Sequence, residues 1–365
     1  MKTNLGFESE ICPENAYYRE ARDGGFDIFG LLCPRKLDHY RRVPEDVAAA
    51  TSTSVAALSS NTAGGRLRFS TDSEYIAIYA EMPSMADMSH FARTGSSAFD
   101  IYVKCGAKYV YHDTFMPTLG DHYEAISRFK VPGMKDVMLH FPTYSDVKNL
   151  YIGVAEGSRI EHSAPYRYLK PVVYYGSSIT QGACASRPGN AYEAIISNDL
   201  DCDFINLGFS GSALAEEAIT DYINSLDMSV FVMDYDHNAP NPEHLERTHE
   251  AFFKKIRASH PDLPVIMISR PTFEEGYGGP HAYGISVIPP ENEMLRCREV
   301  VFRTYMNAVN AGDRSVYFID GASLFNGPHA DLCTVDGVHP NDAGFLRMAD
   351  RIGSFVSAAL PKDPA

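Results

Sequence analysis

The second half of the chain contains serine, histidine and aspartate residues in an order suited to acyl transfer. Ser178 follows the apolar run 172–175 (VVYY) within the stretch GSSITQG. Asp336 and His339 lie three residues apart in the stretch DGVHP. A serine hydroxyl beside an imidazole, with a carboxylate to orient that imidazole, can attack an ester carbonyl. Ser178, His339 and Asp336 are therefore candidate catalytic residues.

Other interpretations of the turn around Ser178 explain less. The segment 176–182 is rich in Gly and Ser, as phosphate-binding turns are, but it contains neither GK[ST] nor GxGxxG. The chain also lacks the GxSxG turn of ordinary α/β-hydrolases. Ser177 and Ser178 taken alone would suit the start of a helix, where a serine side chain accepts backbone N–H groups. Their occurrence together with Asp336 and His339 favours the catalytic interpretation.

The elements that must position these residues fall into two halves with different periods. Between Gly65 and Val154, short apolar runs alternate with polar residues and are separated by Gly and Pro. Residues 98–115 predict a hairpin that turns near Gly106. Several short strands at this spacing predict an antiparallel β-sandwich or jelly roll. Residues 47–65 fit a strand or a helix equally well.

From about Tyr168 onward, strand and helix patterns alternate five times. Such alternation predicts an α/β fold in which helices cover both faces of a parallel sheet. We therefore expect an amino-terminal β-sandwich domain over residues 1–168 and a second domain over residues 169–365. The predicted helices of the second domain span residues 191–200, 213–226, 242–259, 292–311 and 343–359.

In a parallel sheet of this kind, ligands bind beyond the carboxyl ends of the strands. Polar and glycine residues follow the first, second, third and last predicted strands, at 176–180, 208–212, 234–238 and 336–339. The four segments supply a nucleophile, backbone amides beside glycine, a side-chain amide, and a base with its carboxylate. These are the groups that acyl transfer requires.

This order of residues resembles the SGNH (GDSL-type) hydrolase family, over roughly residues 170–360. The family's first block, Gly-Asp-Ser-Ile/Leu, corresponds to 176–180 (GSSIT), and its fifth, Asp-x-x-His-Pro, is present unchanged as 336–340. The second block, which ends in Ser-Gly, corresponds to 206–211 (NLGFSG). The resemblance implies a flavodoxin-like three-layer sheet and ester hydrolysis with Ser178 as the nucleophile. It also implies an oxyanion hole formed by the N–H groups of Ser178 and Gly211 together with an asparagine side chain.

Two blocks depart from the family pattern. Ser177 stands where the family has aspartate, and we expect it to have a structural role. The third block, Gly-x-Asn-Asp in the family, is 234–238 (DYDHN) here. Asn238 is the best candidate for the oxyanion-hole side chain, although a shift of one or two residues would select His237 or Asp236. A carboxylate would repel an oxyanion, so Asn238 is preferred.

A β-sandwich ahead of such a domain resembles the two-domain carbohydrate esterases. The resemblance implies hydrolysis of short-chain esters, with acetyl the first expectation, on a small molecule or an oligosaccharide. The alternatives are a lysophospholipase or platelet-activating-factor-type lipid esterase, and a catalytically inactive glycan-binding module. The long Gly- and Pro-rich segment 270–293 is either a specificity loop or a surface excursion. Its candidate substrate-binding residues are Tyr277, His281 and Tyr283.

Composition excludes several classes of partner. The formal net charge of −15 over 365 residues disfavours nucleic acid and anionic membranes. No apolar run is long enough to span a bilayer. The first residues lack a secretory pattern, so we expect a cytoplasmic protein, or a secreted one if a leader was removed. The seven cysteines are scattered singly, and we expect neither a metal nor another cofactor. The oligomeric state is not predicted.

Overall fold

In a computed structural model of the chain, residues 1–271 and 291–362 are described, and they form two compact units. The first unit comprises Met1–Pro44, Ser59–Tyr166 and Ser186–Gly189. The second begins with Glu45–Leu58 and continues through Arg167–Ala185 and the chain from Asn190. Residues 45–58, which overlap the segment 47–65 whose period was ambiguous, form helices α1 (Glu45–Thr51) and α2 (Thr53–Leu58). The division of the chain at residue 168 stays a prediction.

The first unit contains two antiparallel sheets, as predicted for a β-sandwich. The apolar residues that alternate along its strands pack into one core, for example Ile78, Leu139 and Ile152. The predicted hairpin turns at Gly106, whose φ of 63° lies in the left-handed region. A short helix, α3, spans Arg93–Ser96. One sheet has the order β1 (Ala16–Glu20), β9 (Asn149–Ala155), β4 (Tyr75–Glu81) and β7 (His122–Arg128). The other has the order β10 (Ile160–Glu161), β3 (Arg66–Thr71), β8 (Lys135–His140), β5 (Phe99–Cys105) and β6 (Lys108–Phe115), with β2 (Asp27–Phe29) paired to β3.

The second unit is built on a five-stranded parallel sheet. Its strand order is that of a flavodoxin-like fold, because the first strand lies between the second and the third. The predicted fold class is therefore confirmed. The strands in spatial order are β12 (Cys202–Gly208), β11 (Tyr168–Gly176), β13 (Val230–Asp234), β14 (Val265–Ile268) and β15 (Val316–Ile319). The helices are α4 (Ser178–Gln181), α5 (Tyr192–Leu200), α6 (Glu217–Asn224), α7 (Pro242–Ser259), α8 (Glu291–Asn310) and α9 (Asp342–Ala359).

The inner strand β11 ends at the point where the strand order reverses. Its residues 172–175 are 0% exposed, so the run VVYY is buried on both faces of the sheet, as expected for an inner parallel strand. Chain connections leave the carboxyl ends of the neighbouring strands β11 and β13 in opposite directions, and this opens a crevice where ligands bind in such folds. Ser178 lies two residues beyond the end of β11.

Helix α6 begins four residues later than the sequence pattern predicted. The residues from Ala213 to Glu216 form a loop because their backbone groups bond outside a helix. The N–H of Ala213 donates to the Asn238 side chain, and that of Ala215 donates to the Tyr175 hydroxyl. Ala215 also has a φ of 56°, which a right-handed helix cannot include. The predicted helix start was therefore wrong, and the loop contributes to the candidate site instead.

Candidate active site

The turn that carries Ser178 follows β11 directly. Ser177 is the N-cap of α4, and its hydroxyl accepts the N–H of Ile179 at 3.2 Å. This bond satisfies one of the donors left open at a helix start, in line with the structural role predicted for Ser177. Ser178 is the first residue of α4 and is 8% exposed. A short capped turn at the end of a buried strand holds a nucleophile in fixed geometry.

Two glycines allow α4 to lie tightly on the ends of the strands. A Cβ at Gly176 would come within 2.0 Å of the Thr180 Oγ1 atom and 2.4 Å of the Asp234 carbonyl oxygen. A Cβ at Gly208 would lie 2.2 Å from the backbone nitrogen of Gln181. Both positions therefore require glycine, because any side chain would push α4 away from the sheet.

Ser178, His339 and Asp336 form a continuous chain of hydrogen bonds. The Ser178 Oγ atom lies 2.9 Å from His339 Nε2, and His339 Nδ1 lies 2.7 Å from Asp336 Oδ2. An ionised carboxylate only accepts hydrogen bonds, so the imidazole proton belongs on Nδ1. Nε2 is then left as an acceptor for the serine hydroxyl. The imidazole is 7% exposed, which limits competition from water.

The loop that carries Asp336 and His339 is fixed by its own backbone. The second carboxylate oxygen, Asp336 Oδ1, accepts the N–H groups of His339 at 2.7 Å and Val338 at 3.0 Å. The N–H of Val335 donates to the carbonyl of His339 at 2.9 Å. Immediately afterwards, Asn341 caps α9 by accepting the N–H groups of residues 343 and 344. The spacing of three residues thus lets one carboxylate bind both the ring and the backbone of the same histidine.

The surroundings of Asp336 stabilise its charged form. Partial burial raises the pKa of this carboxyl group, but the hydrogen bonds from the ring and backbone of His339 lower it more. The charge of His339 and the N–H of Val338 act in the same direction. The net result is a pKa of Asp336 well below its usual range, so the group is ionised at neutral pH.

The segments after β12 and β13 meet the serine turn at the same edge of the sheet. The N–H of Ser210 donates to Gln181 Oε1 at 3.0 Å, which ties the β12 loop to α4. Gly211, the candidate oxyanion-hole glycine, has a φ of 66° and is exposed in this loop. The N–H of Ala213 donates to Asn238 Oδ1 at 3.1 Å, which joins the loop to the turn Asp236–Asn238 after β13.

This last bond fixes the orientation of the Asn238 amide. Because Oδ1 already accepts from the backbone, the NH₂ group is the part of the side chain left to donate. Asp236, which a shifted alignment would select, is committed elsewhere. It is 1% exposed, and its Oδ2 atom accepts the N–H of Arg270 at 2.9 Å.

Sequence reasoning missed a buried polar network beneath α4. Asp234 Oδ2 accepts the hydroxyl groups of Thr180 and Tyr192, each at 3.2 Å. Burial raises the pKa of Asp234 to about 8, and the charge of Asp236 adds to this effect. The polar residue at the end of β13 was visible in the sequence, but its two partners were not.

A buried ion pair between Asp236 and Arg270 was also missed. The two side chains are 1% and 4% exposed, and Arg270 Nε lies 3.8 Å from Asp236 Oδ1. The guanidinium group also donates to the backbone carbonyl of Asp236. The only signal for Arg270 was its position directly after the fourth strand. The predicted substrate-binding residues Tyr277, His281 and Tyr283 lie outside the described residues.

The second unit matches a family model, and this match identifies the family to which the chain belongs. Residues 169–357 match the model of the GDSL-like lipase/acylhydrolase family. The chain belongs to that family. Residues 16–160 match a model described as the N-terminus of SGNH-hydrolase-type esterases. The chain is accordingly an ester hydrolase of the GDSL type, as the sequence predicted. No protein of the curated set matches it.

Three solved structures illustrate the likeness over both units. A protein from Bacteroides ovatus, described as a GDSL-like lipase, is 27% identical with a TM-score of 0.83 and covers 94% of this chain and 98% of its own. The salicylyl-acyltransferase SsfX3 from a tetracycline biosynthetic pathway is 20% identical with a TM-score of 0.74 and covers 95% and 98%. A family two carbohydrate esterase from Clostridium thermocellum in complex with cellohexaose is 13% identical with a TM-score of 0.53 and covers 81% and 92%. The last two likenesses concern the fold.

None of the helices in the described part of the chain is long and apolar enough to cross a membrane.

Proposed function

We propose that this chain is a serine esterase that removes short acyl groups, acetyl first among them, from hydroxyl groups of carbohydrates. The observation that carries the proposal is the hydrogen-bond chain from Ser178 through His339 to Asp336, with distances of 2.9 and 2.7 Å. Its order and polarity are those of a nucleophile, a general base and an orienting carboxylate.

The proposed reaction proceeds in two halves. The Ser178 hydroxyl attacks the ester carbonyl while His339 Nε2 takes its proton, and His339 then donates that proton to the leaving alcohol oxygen. Water, deprotonated by the same nitrogen, attacks the acyl-serine and releases the acid. Asp336 keeps the Nδ1 proton in place and stabilises the imidazolium ion. The N–H groups of Ser178 and Gly211 and the Asn238 amide donate to the oxyanion, and each such donor is worth about 2.7–4 kcal/mol in the transition state.

The preference for a short acyl group on a carbohydrate rests on two supports. The turn Asp236–Asn238 that follows β13 consists of polar and charged residues, which suits a small polar ester better than a long alkyl chain. The likeness to a family two carbohydrate esterase solved with cellohexaose supports an oligosaccharide alcohol. The likeness to an acyltransferase suggests a competing reaction, in which the acyl-serine transfers its acyl group to a second alcohol and not to water.

The decisive experiment compares 4-nitrophenyl acetate, butyrate and octanoate with wild type, Ser178→Ala and Ser177→Ala. We expect acetate to be the best substrate and Ser178→Ala to lower kcat by a factor on the order of 10⁴–10⁶. Ser177→Ala is the matched control, since it removes the neighbouring hydroxyl and leaves the nucleophile. Equal rates in wild type and Ser178→Ala would refute the serine mechanism, and the absence of turnover in both would favour an inactive glycan-binding module.

A second set of substrates separates the remaining alternatives. Acetylated xylo- and cello-oligosaccharides test the carbohydrate, and lysophosphatidylcholine tests the lipid-esterase alternative. Product analysis in the presence of an acceptor alcohol distinguishes acetate release from transacetylation. Faster turnover of the lipid than of any acetylated sugar would overturn the carbohydrate assignment.

A further inference from the structure

His237 has no part in the mechanism proposed above, yet it lies beside the oxyanion-hole candidate. It is the middle residue of the turn Asp236–Asn238 at the carboxyl end of β13. Its ring is half-buried, and its Nε2 atom is fully buried without a hydrogen-bond partner among the described residues. Buried polar atoms are nearly always paired, so an unpaired one at a ligand-binding edge of the sheet indicates a missing partner.

The backbone on both sides of His237 is held in place. On one side, Asp236 accepts the N–H of Arg270 with its carboxylate and the Arg270 guanidinium with its carbonyl. On the other side, the Asn238 side chain accepts the N–H of Ala213. The backbone of His237 is therefore fixed, and rotation about the side-chain bonds of this half-buried residue is the movement that brings Nε2 to a ligand.

The ring of His237 is neutral. Burial lowers its pKa well below the ordinary value, and the positive charges of Arg270 and His339 lower it further. A neutral imidazole has one donor and one acceptor nitrogen, and it pairs best with a group that can do both.

We propose that His237 binds a hydroxyl group of the ester substrate through Nε2 and so selects esters that carry a hydroxyl near the ester bond. A hydroxyl donates and accepts, so it complements either tautomer of a neutral ring. The buried Arg270 disfavours a cationic group at this place, and the Asp236 carboxylate disfavours an anionic one. The proposal rests on the proposed function, since it names a recognition element for the same ester substrate.

The hydroxyl can belong to the acyl part or to the alcohol part, and three esters distinguish these sources. Ethyl acetate carries neither hydroxyl, ethyl glycolate carries it on the acyl carbon, and 2-hydroxyethyl acetate carries it on the alcohol. Wild type, His237→Phe and His237→Gln are compared by kcat/KM in a pH-stat assay. Phe keeps a ring without hydrogen-bonding atoms, and Gln keeps an N–H donor near the Nε2 position. His39→Phe, at an exposed position of the first unit, is the matched control.

We expect His237→Phe to lower kcat/KM for one hydroxylated ester on the order of tenfold, the worth of one hydrogen bond, and to leave ethyl acetate within about twofold. His237→Gln should recover part of the loss, and His39→Phe should change none of the three rates. Equal losses on all three esters, or no loss on any, would overturn the role of His237 and leave the esterase assignment intact. Failure of wild type to hydrolyse any of them would overturn both. Unfolding midpoints of the variants separate a folding defect from a binding defect.

Discussion

Replacing Asp336 with asparagine should disable the enzyme by changing the tautomer of His339. The carboxylate accepts at both oxygens: Oδ1 from the backbone of Val338 and His339, and Oδ2 from the His339 ring. An asparagine has only one acceptor oxygen. The two backbone N–H groups, at 3.0 and 2.7 Å, hold that oxygen at the Oδ1 position, because an NH₂ group there would face two donors.

The asparagine NH₂ group then faces His339 Nδ1 across the present distance of 2.7 Å. A hydrogen bond at that distance requires Nδ1 to be unprotonated, so the imidazole carries its proton on Nε2 and directs it at the Ser178 oxygen. In this tautomer His339 cannot accept the serine proton. The expected loss in kcat is about 10⁴-fold, which corresponds to roughly 5.5 kcal/mol of transition-state stabilisation.

Asp336→Ala provides the comparison that tests this explanation. Alanine removes the orienting bond but imposes no tautomer, so it should be no more damaging than asparagine near pH 7. The assay is kcat/KM for 4-nitrophenyl acetate, and ¹⁵N NMR of the imidazole reports the tautomer directly. Asparagine activity above about one tenth of wild type, or a retained proton on Nδ1 in Asp336→Asn, would contradict the tautomer explanation.

Three further predictions concern the groups around the serine turn. Asn238→Ala should lower kcat for 4-nitrophenyl acetate by about 10²–10³ with little change in KM, and a loss confined to KM would contradict an oxyanion role. Burial, and then the charge of Asp236, raise the pKa of Asp234 to about 8. Between about pH 4 and pH 8 this carboxyl group therefore holds a proton in the folded state that it releases in the unfolded chain, so its contribution to stability falls as pH rises. Urea unfolding of wild type and Asp234→Asn should therefore show wild type losing on the order of 4 kcal/mol relative to the variant between pH 5 and 8, and a constant difference would contradict it. Ser177→Ala should lower the free energy of unfolding by about 1 kcal/mol through the lost cap while kcat/KM falls less than tenfold, and a loss comparable with Ser178→Ala would contradict its structural role.

The parallel sheet and the edge that carries the candidate catalytic residues could be predicted because two features of the sequence indicate where each strand ends. Buried parallel strands are continuous apolar runs, and the polar residues that end them must lie at one edge. Asp336 and His339 add a local constraint, since a spacing of three residues places them in the same turn. Periodicity and spacing therefore predicted that these side chains share one edge of the sheet, but not that Ser178 and His339 lie within hydrogen-bond reach.

What the sequence could not predict depends on contacts between distant segments. Residues 47–58 are rich in Ala, Val, Ser and Thr, whose spacing fits a strand or a helix, and packing of α1 against α6 decides between them. Strand β7 has polar residues at exposed positions and was not predicted. Asp236 and Arg270 are 34 residues apart and meet because β13 and β14 are neighbours. That pairing follows only from the order of strands in the sheet.

The residues that depart from the family pattern lie at positions that hold the reactive groups in place. Other contacts in the structure hold these groups instead. Ser177 replaces an aspartate but still caps α4. Asp234 binds the hydroxyl of Thr180 and so holds α4 from beneath. In the third block, a backbone donor from Ala213 orients the Asn238 amide. Ser178 and His339, which face the reacting atoms in the proposed mechanism, keep the residue types of the family. A residue that makes or breaks bonds must have a particular chemical group, whereas a residue that only positions it can be replaced by another that makes an equivalent contact. Substitutions in such a site should therefore accumulate first at the residues that position the reactive groups.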